Sequence, residues 1–154
     1  MKKLVIISAL VALIAGCGAA PGPKATVEKA FSALKSGDGK ALIECMSAEQ
    51  VEELNASVEE MKANPEESAQ MMAFLGVETT ADEITSLDAA GFVSLLMKSE
   101  MFSSEFADME MTFGAERIEG EEAWVEVTVD GETDEIKLVK ENGRWVIAEG
   151  FDMM

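Results

Sequence analysis

The chain has 154 residues, with 30 acidic against 12 basic side chains, 48% hydrophobic residues, and neither histidine nor tyrosine. Those absences exclude Ser-His-Asp and Cys-His catalysis and histidine-ligated zinc. The net charge of −18 makes nucleic acid an excluded partner, because binding it requires a basic face that displaces counterions.

Lys2 and Lys3 precede an apolar run from Leu4 to Ile14, broken only by Ser8, which ends at Ala15-Gly16-Cys17. That is the layout of an export signal, and the run is shorter than the roughly 20 residues that span ~30 Å of hydrocarbon. Leu13-Ile14-Ala15-Gly16-Cys17 resembles a lipobox. The resemblance implies a signal peptide over residues 1–16 and a diacylglyceryl group on Cys17, the plainer alternative being an incidental cysteine beside an ordinary cleavage site. Several acyl chains, each buried CH₂ contributing ~0.8 kcal/mol, hold a domain on a membrane from which one chain lets it escape. A cell-envelope location follows, and in a Gram-negative host the outer membrane facing the periplasm, since Gly18 rather than aspartate follows the cysteine. Residues 17–23 read as a lipidated, flexible tether. Without residues 1–16 the chain keeps 138 residues, and the loss of Lys2 and Lys3 leaves 10 basic against 30 acidic groups, a charge of −20. That length suits one domain, expected over 24–154, and its charge means that the lipid alone supplies membrane attachment.

Val27, Ala30, Phe31 and Leu34 fall at i, i+3, i+4 and i+7, one stripe of an amphipathic helix over 23–35 that stops at Ser36-Gly37. Asp38 is placed to cap a short second helix through Ala41, Leu42, Ile43 and Met46. Ser47 with Gln50 is a capping-box pattern, and Val51, Leu54, Val58 and Met61 carry a third helix to about Ala63. Asn64-Pro65 reads as a cap and first helical position, opening a helix through Met71, Met72 and Leu75 to Gly76. A last helix is expected after Asp88, with Phe92, Leu95, Leu96 and Met97 well buried. Beyond Ser104 the period becomes 2, and four strand-like segments are separated by Glu119-Gly120, Asp130-Gly131 and Asn142-Gly143, pairs that tolerate positive φ and favour tight hairpins. Ala123, Val125, Val127 and Val129 alternate with Trp124, Glu126 and Thr128. The reading is an α+β fold, helices first and packed on an antiparallel C-terminal meander.

Pro23, Val27, Phe31, Ala33-Leu34, Gly37-Asp38 and Ala41, with Ile136 to Val139 and Gly143-Arg144-Trp145-Val146-Ile147, resemble small bacterial lipoproteins of unknown function that have a nuclear-transport-factor-like, or cystatin-like, cone fold. The resemblance covers roughly residues 23–46 and 106–150 and implies a curved sheet, with residues 47–103 as a helical insert. Enzymes on related folds place aspartate, histidine or tyrosine inside the cone; this chain has no histidine or tyrosine to match, so no catalytic residue carries over.

Phe31, Met111, Phe113, Trp124 and Trp145 are candidates to line the mouth of a cone-shaped pocket, against the plainer reading that aromatics in a domain of this size are core. Cys45 has no partner within the chain once Cys17 is acylated; a buried small thiol on a helix stands against an intermolecular disulfide. Asp130, Glu132 and Asp134 alternate like early ligands of a calcium loop but lack its glycine and its closing glutamate, so a hairpin explains them better. Eleven methionines invite a copper(I) reading, but most occupy apolar helix positions where flexible core packing suffices. No metal or other cofactor is expected. The composite expectation is a lipid-anchored, non-catalytic envelope protein that binds a protein partner or a small apolar ligand. Its alternatives are a carboxylate-based enzyme with a desolvated acid and a structural envelope component.

Overall fold

Every helix of the computed structural model begins or ends on a local signal that can be named. The structure describes residues 20–107 and 109–149; the expected signal peptide, Cys17, residues 18 and 19 of the expected tether, and Met153-Met154 lie outside the described residues. Helix α1 (Pro23–Ser36) starts with proline at its first turn, where a missing N–H breaks no intrahelical bond. Pro23 is itself buried. Gly37, in the left-handed region at φ 70, ends α1. The Gly37 and Asp38 N–H groups donate back to the carbonyls of Leu34 and Ala33, which is a Schellman closure. The Asp38 carboxylate accepts from Ala41 N at 3.0 Å and opens α2 (Gly39–Ile43). Ser47 and Gln50 form the expected capping box at the start of α3 (Ala48–Ala63).

Asn64 is the N-cap of α4 (Pro65–Phe74), with Pro65 in the first turn as expected, but its side chain makes no capping hydrogen bond; its N–H donates to Met61 O at the end of α3. Helices α5 (Ala81–Ser86) and α7 (Glu100–Ala107), on either side of α6 (Ala89–Met97), were not anticipated. A second capping box starts α5, with Glu83 N donating to Thr80 Oγ1 at 3.3 Å and Thr80 N to Glu83 Oε2 at 2.8 Å. Asp88 caps α6 through Gly91 N at 2.7 Å.

Strands β1 (Met111–Glu119), β2 (Glu122–Val129), β3 (Glu132–Glu141) and β4 (Arg144–Glu149) form one antiparallel sheet in the order β1-β2-β3-β4. Asp130-Gly131 and Asn142-Gly143 take positive φ at both residues, the two-residue hairpin geometry that matches strand twist. Register irregularities at Phe113/Glu116 in β1 and at Ala148 in β4, opposite Lys137/Leu138, are where strands bend and twist more strongly. The outer edge of β4 is covered: Ile147 N donates to Cys45 O at 2.7 Å, and Ser47 N donates to Ile147 O at 3.0 Å. The turn between α2 and α3 thereby satisfies an edge that would otherwise invite pairing with another chain. The α+β architecture is therefore as expected, helices laid on a meander.

The buried side chains divide into two groups. Val27, Ala30 and Leu34 of α1, with Leu42, Cys45, Val93 and Met97, pack on Ala123, Val125, Val127, Ile136, Leu138 and Ile147 of the sheet. Met72, Val77 and Ile84 form a satellite core inside the helical section, joined by half-buried Phe92, Leu95 and Leu96. Helix α6 faces both, sending Val93 and Met97 to the sheet core and Phe92, Leu95 and Leu96 to the satellite. That division explains why its sequence is apolar around most of its girth, and why those three side chains are only half-buried rather than fully enclosed.

Candidate functional site

The five residues proposed for a pocket mouth do not converge. Phe31, Met111, Phe113 and Trp145 are half-buried against the sheet core, and the Phe31 and Phe113 rings meet with centroids 5.7 Å apart at 51°, a tilted contact that ring quadrupoles favour. Lys24 fastens the start of α1 to the irregular part of β1, its Nζ donating to Phe113 O at 2.9 Å and Gly114 O at 3.1 Å. Trp124 lies apart from these four. Its neighbours Ala123 and Val125 are fully buried beneath the helices, and strand alternation puts Trp124 on the opposite face. There the Arg117 guanidinium sits 4.0 Å from the Trp124 ring centroid, a cation–π contact. Lys137, the cross-strand partner of Trp124, bonds Glu122 at 2.9 Å, which holds its ammonium pKa above the ordinary lysine value.

Among the described residues charge is confined to the surface. The buried polar residues among those described are Thr26, Ser47 and Ser99, none of them ionisable at neutral pH. Every buried side-chain nitrogen or oxygen among them has a hydrogen-bond partner. Among the described residues two carboxylates are displaced in pKa, both downward: Glu44 chiefly through its hydrogen bond with Lys29 at 2.7 Å, and Glu83 chiefly through the Thr80 backbone N–H. Cys45 is a free, buried thiol just past the end of α2, donating to Ala41 O at 3.3 Å, and burial pushes its pKa up. It is inert rather than poised for reaction. Among the described residues no three acidic or cysteine side chains cluster to hold a metal, and the methionines are split between the two cores and the surface.

Sequence reasoning missed the feature that stands out on the surface. Along α4, Met72 points into the satellite core, but Met71 is 63% exposed, Phe74 90% and Leu75 39%. The helix expected through Met71, Met72 and Leu75 is present, but of these three only Met72 is buried. The i, i+3, i+4 spacing of Met71, Phe74 and Leu75 was visible in the sequence and marks a coherent helix face. Nothing local says whether such a face is covered. Ile118 on β1 is the other exposed large hydrophobic residue among those described. A cleft of about 690 Å³ adjoins the end of α4, lined by Ala73, Gly76, Val77, Glu78, Leu95 and Lys98 among others.

No protein-family model matches the chain, and no curated protein matches it. Of solved structures, one assigned as an NTF2-like transpeptidase from Campylobacter jejuni is similar at a TM-score of 0.40 and 15% identity, over 80% of this chain and 95% of that one. No helix among the described residues is long and apolar enough to cross a membrane.

Proposed function

We propose that the chain is a lipid-anchored, non-catalytic protein of the cell envelope that binds a protein partner through its helical section, residues 47–103. The observation that carries this is the concentration of exposed apolar side chains on one helix: three of the four large hydrophobic residues exposed among those described are Met71, Phe74 and Leu75 of the α4 segment. Isolated exposed apolar residues need no explanation, whereas a contiguous patch on a soluble domain marks an interaction site.

Two further points support the reading over its alternatives. A general base made from a carboxylate needs burial to raise its pKa toward neutrality, and no aspartate or glutamate among the described residues is buried. A small apolar ligand needs a hollow interior, and the space between α1 and the sheet is occupied by Val27, Ala30, Val125, Ile136 and Leu138, each at most 4% exposed. The anchor rests on the lipobox residues Leu13 to Cys17, and with it the envelope location.

The test is photocrosslinking in the native membrane from a photoreactive residue at Gln70, beside the stripe. A discrete protein adduct that disappears with Phe74→Asp supports the proposal. Absence of an adduct, or one indifferent to Phe74→Asp, contradicts it, as does a Cys17→Ala chain that remains membrane-bound to the same extent.

A further inference from the structure

We infer that the partner of α4 is a basic amphipathic helix, its apolar side laid on Met71, Phe74 and Leu75 and its lysines and arginines paired with the carboxylates around them. The inference rests on the functional reading above and gives the partner's chemistry. On a helix, residues three, four and seven apart share a face. Glu67 therefore lies on the same face as Met71 and Phe74, at the N-terminal end of the stripe, and Glu67 is exposed. Exposed Glu78 follows the C-terminal end, beyond Gly76 and Val77. The apolar face thus carries a carboxylate at its N-terminal end, and a second, Glu78, follows it closely in the chain.

The wider surface has the same sign. Residues 47–103 contain 12 aspartates and glutamates against Lys62 and Lys98, so half of the mature chain's charge of −20 falls in this section. Lys62 is already bonded to Glu59 at 2.8 Å. An acidic surface alone specifies no site, and an apolar stripe alone specifies no partner. Together they select one: an acidic or neutral helix would meet like charge or gain nothing at the rim, and anionic headgroups would be repelled, whereas a cationic helix is steered in and held in register. Three apolar anchors at i, i+3 and i+4 are the pattern by which helices engage one another through a single face.

The test uses the acylated full chain in neutral phosphatidylcholine nanodiscs, with empty discs subtracted. The probe is a fluorescein-labelled 18-residue Leu/Lys amphipathic peptide, and its control is the Leu/Glu peptide with the same apolar face. The inference predicts saturable binding of the Leu/Lys peptide, no binding of the Leu/Glu peptide, and at least a tenfold loss of affinity in Met71→Ser/Phe74→Ser. It also predicts unchanged affinity in Ile118→Ser, which removes exposed apolar surface elsewhere. Both changed sites on α4 point to solvent, so circular dichroism should report an unaltered fold. Equal binding of the two peptides overturns the inference, as does affinity indifferent to the α4 changes, or a dimer seen by sedimentation that Phe74→Ser dissolves. If the native-membrane adduct from position 70 persists while the Leu/Lys peptide fails, the partner's chemistry is refuted and the binding function stands; loss of that adduct refutes the function itself.

Discussion

Replacing Gly39 with alanine should break the joint between the sheet core and the helical section. Gly39 is the first residue of α2 and is buried against α6, and its N–H donates to Ser94 Oγ at 2.9 Å. A Cβ at this position would fall on the Ala90 carbonyl oxygen and lie 2.7 Å from Ser94 N, both backbone atoms that cannot rotate away. The helices must separate. A gap of ~0.5–1 Å forfeits a quarter to a half of the dispersion energy of each contact it opens, and overpacking of this kind costs about 1–3 kcal/mol. Strain on the Gly39–Ser94 hydrogen bond adds about 1 kcal/mol, while the better helix propensity of alanine returns at most about 1 kcal/mol. The expected net loss is about 2 kcal/mol, and at ~3–5 °C per kcal/mol for a domain of this size Tm falls by roughly 6–10 °C. Urea unfolding followed by tryptophan fluorescence measures it. Ser94→Ala should not rescue the variant, since the tightest obstacle is the Ala90 backbone. A Gly39→Ala protein as stable as the parent, or rescue by Ser94→Ala, would refute the close approach of α2 and α6.

Lys24→Met removes both hydrogen bonds from α1 to Phe113 O and Gly114 O and should cost about 1–2 kcal/mol, read as a lower urea midpoint; an unchanged midpoint would mean that the bonds are not formed in solution. Glu83 has a pKa held below the ordinary carboxylate value by the Thr80 N–H, so its contribution is present above the unfolded pKa of ~4.3 and is lost as pH falls through the lower folded value. Glu83→Gln should therefore flatten the acid limb of the stability profile below about pH 4–5, and parallel profiles for the two proteins would contradict it. Cys45, 1% exposed with its thiol pKa raised, should resist iodoacetamide in the native protein and react stoichiometrically in urea; fast native labelling would show that the α2–α3 turn opens readily.

Local chemistry was legible in the sequence at several signals that span four residues or fewer. The Asp38 cap, the Ser47–Gln50 box and the Asp-Gly and Asn-Gly hairpins each satisfy backbone groups within their own turn, so no tertiary contact can override them. Alternation along β2 and β3 was equally readable, because a strand with one buried face has period 2. The Thr80–Glu83 box that starts α5 was present in the residues as well, and went unused because the segment from Gly76 to Asp88 has too few apolar residues to show a helical period.

The site was much less legible. Alternation along β2 puts Trp124 on the face opposite Ala123 and Val125, where it meets Arg117, while Trp145 packs toward the core; which face the helices cover is not a local property. Met71, Phe74 and Leu75 have the spacing of an ordinary core stripe. Their exposure follows from α4 having only one neighbouring layer, the satellite core around Met72 and Ile84, which occupies the face next to theirs and leaves this one uncovered. An apolar face tells which side of a helix seeks a partner; only the assembled fold tells whether that partner is within the chain.

The proposed anchor at Cys17 decides in which compartment α4 meets a partner. Intact-mass analysis of the protein purified from its native membrane tests it most directly. The account predicts a chain that begins at Cys17 and carries the mass of a diacylglyceryl group on that residue; a chain retaining Met1, or one beginning near there with an unmodified thiol, would contradict it.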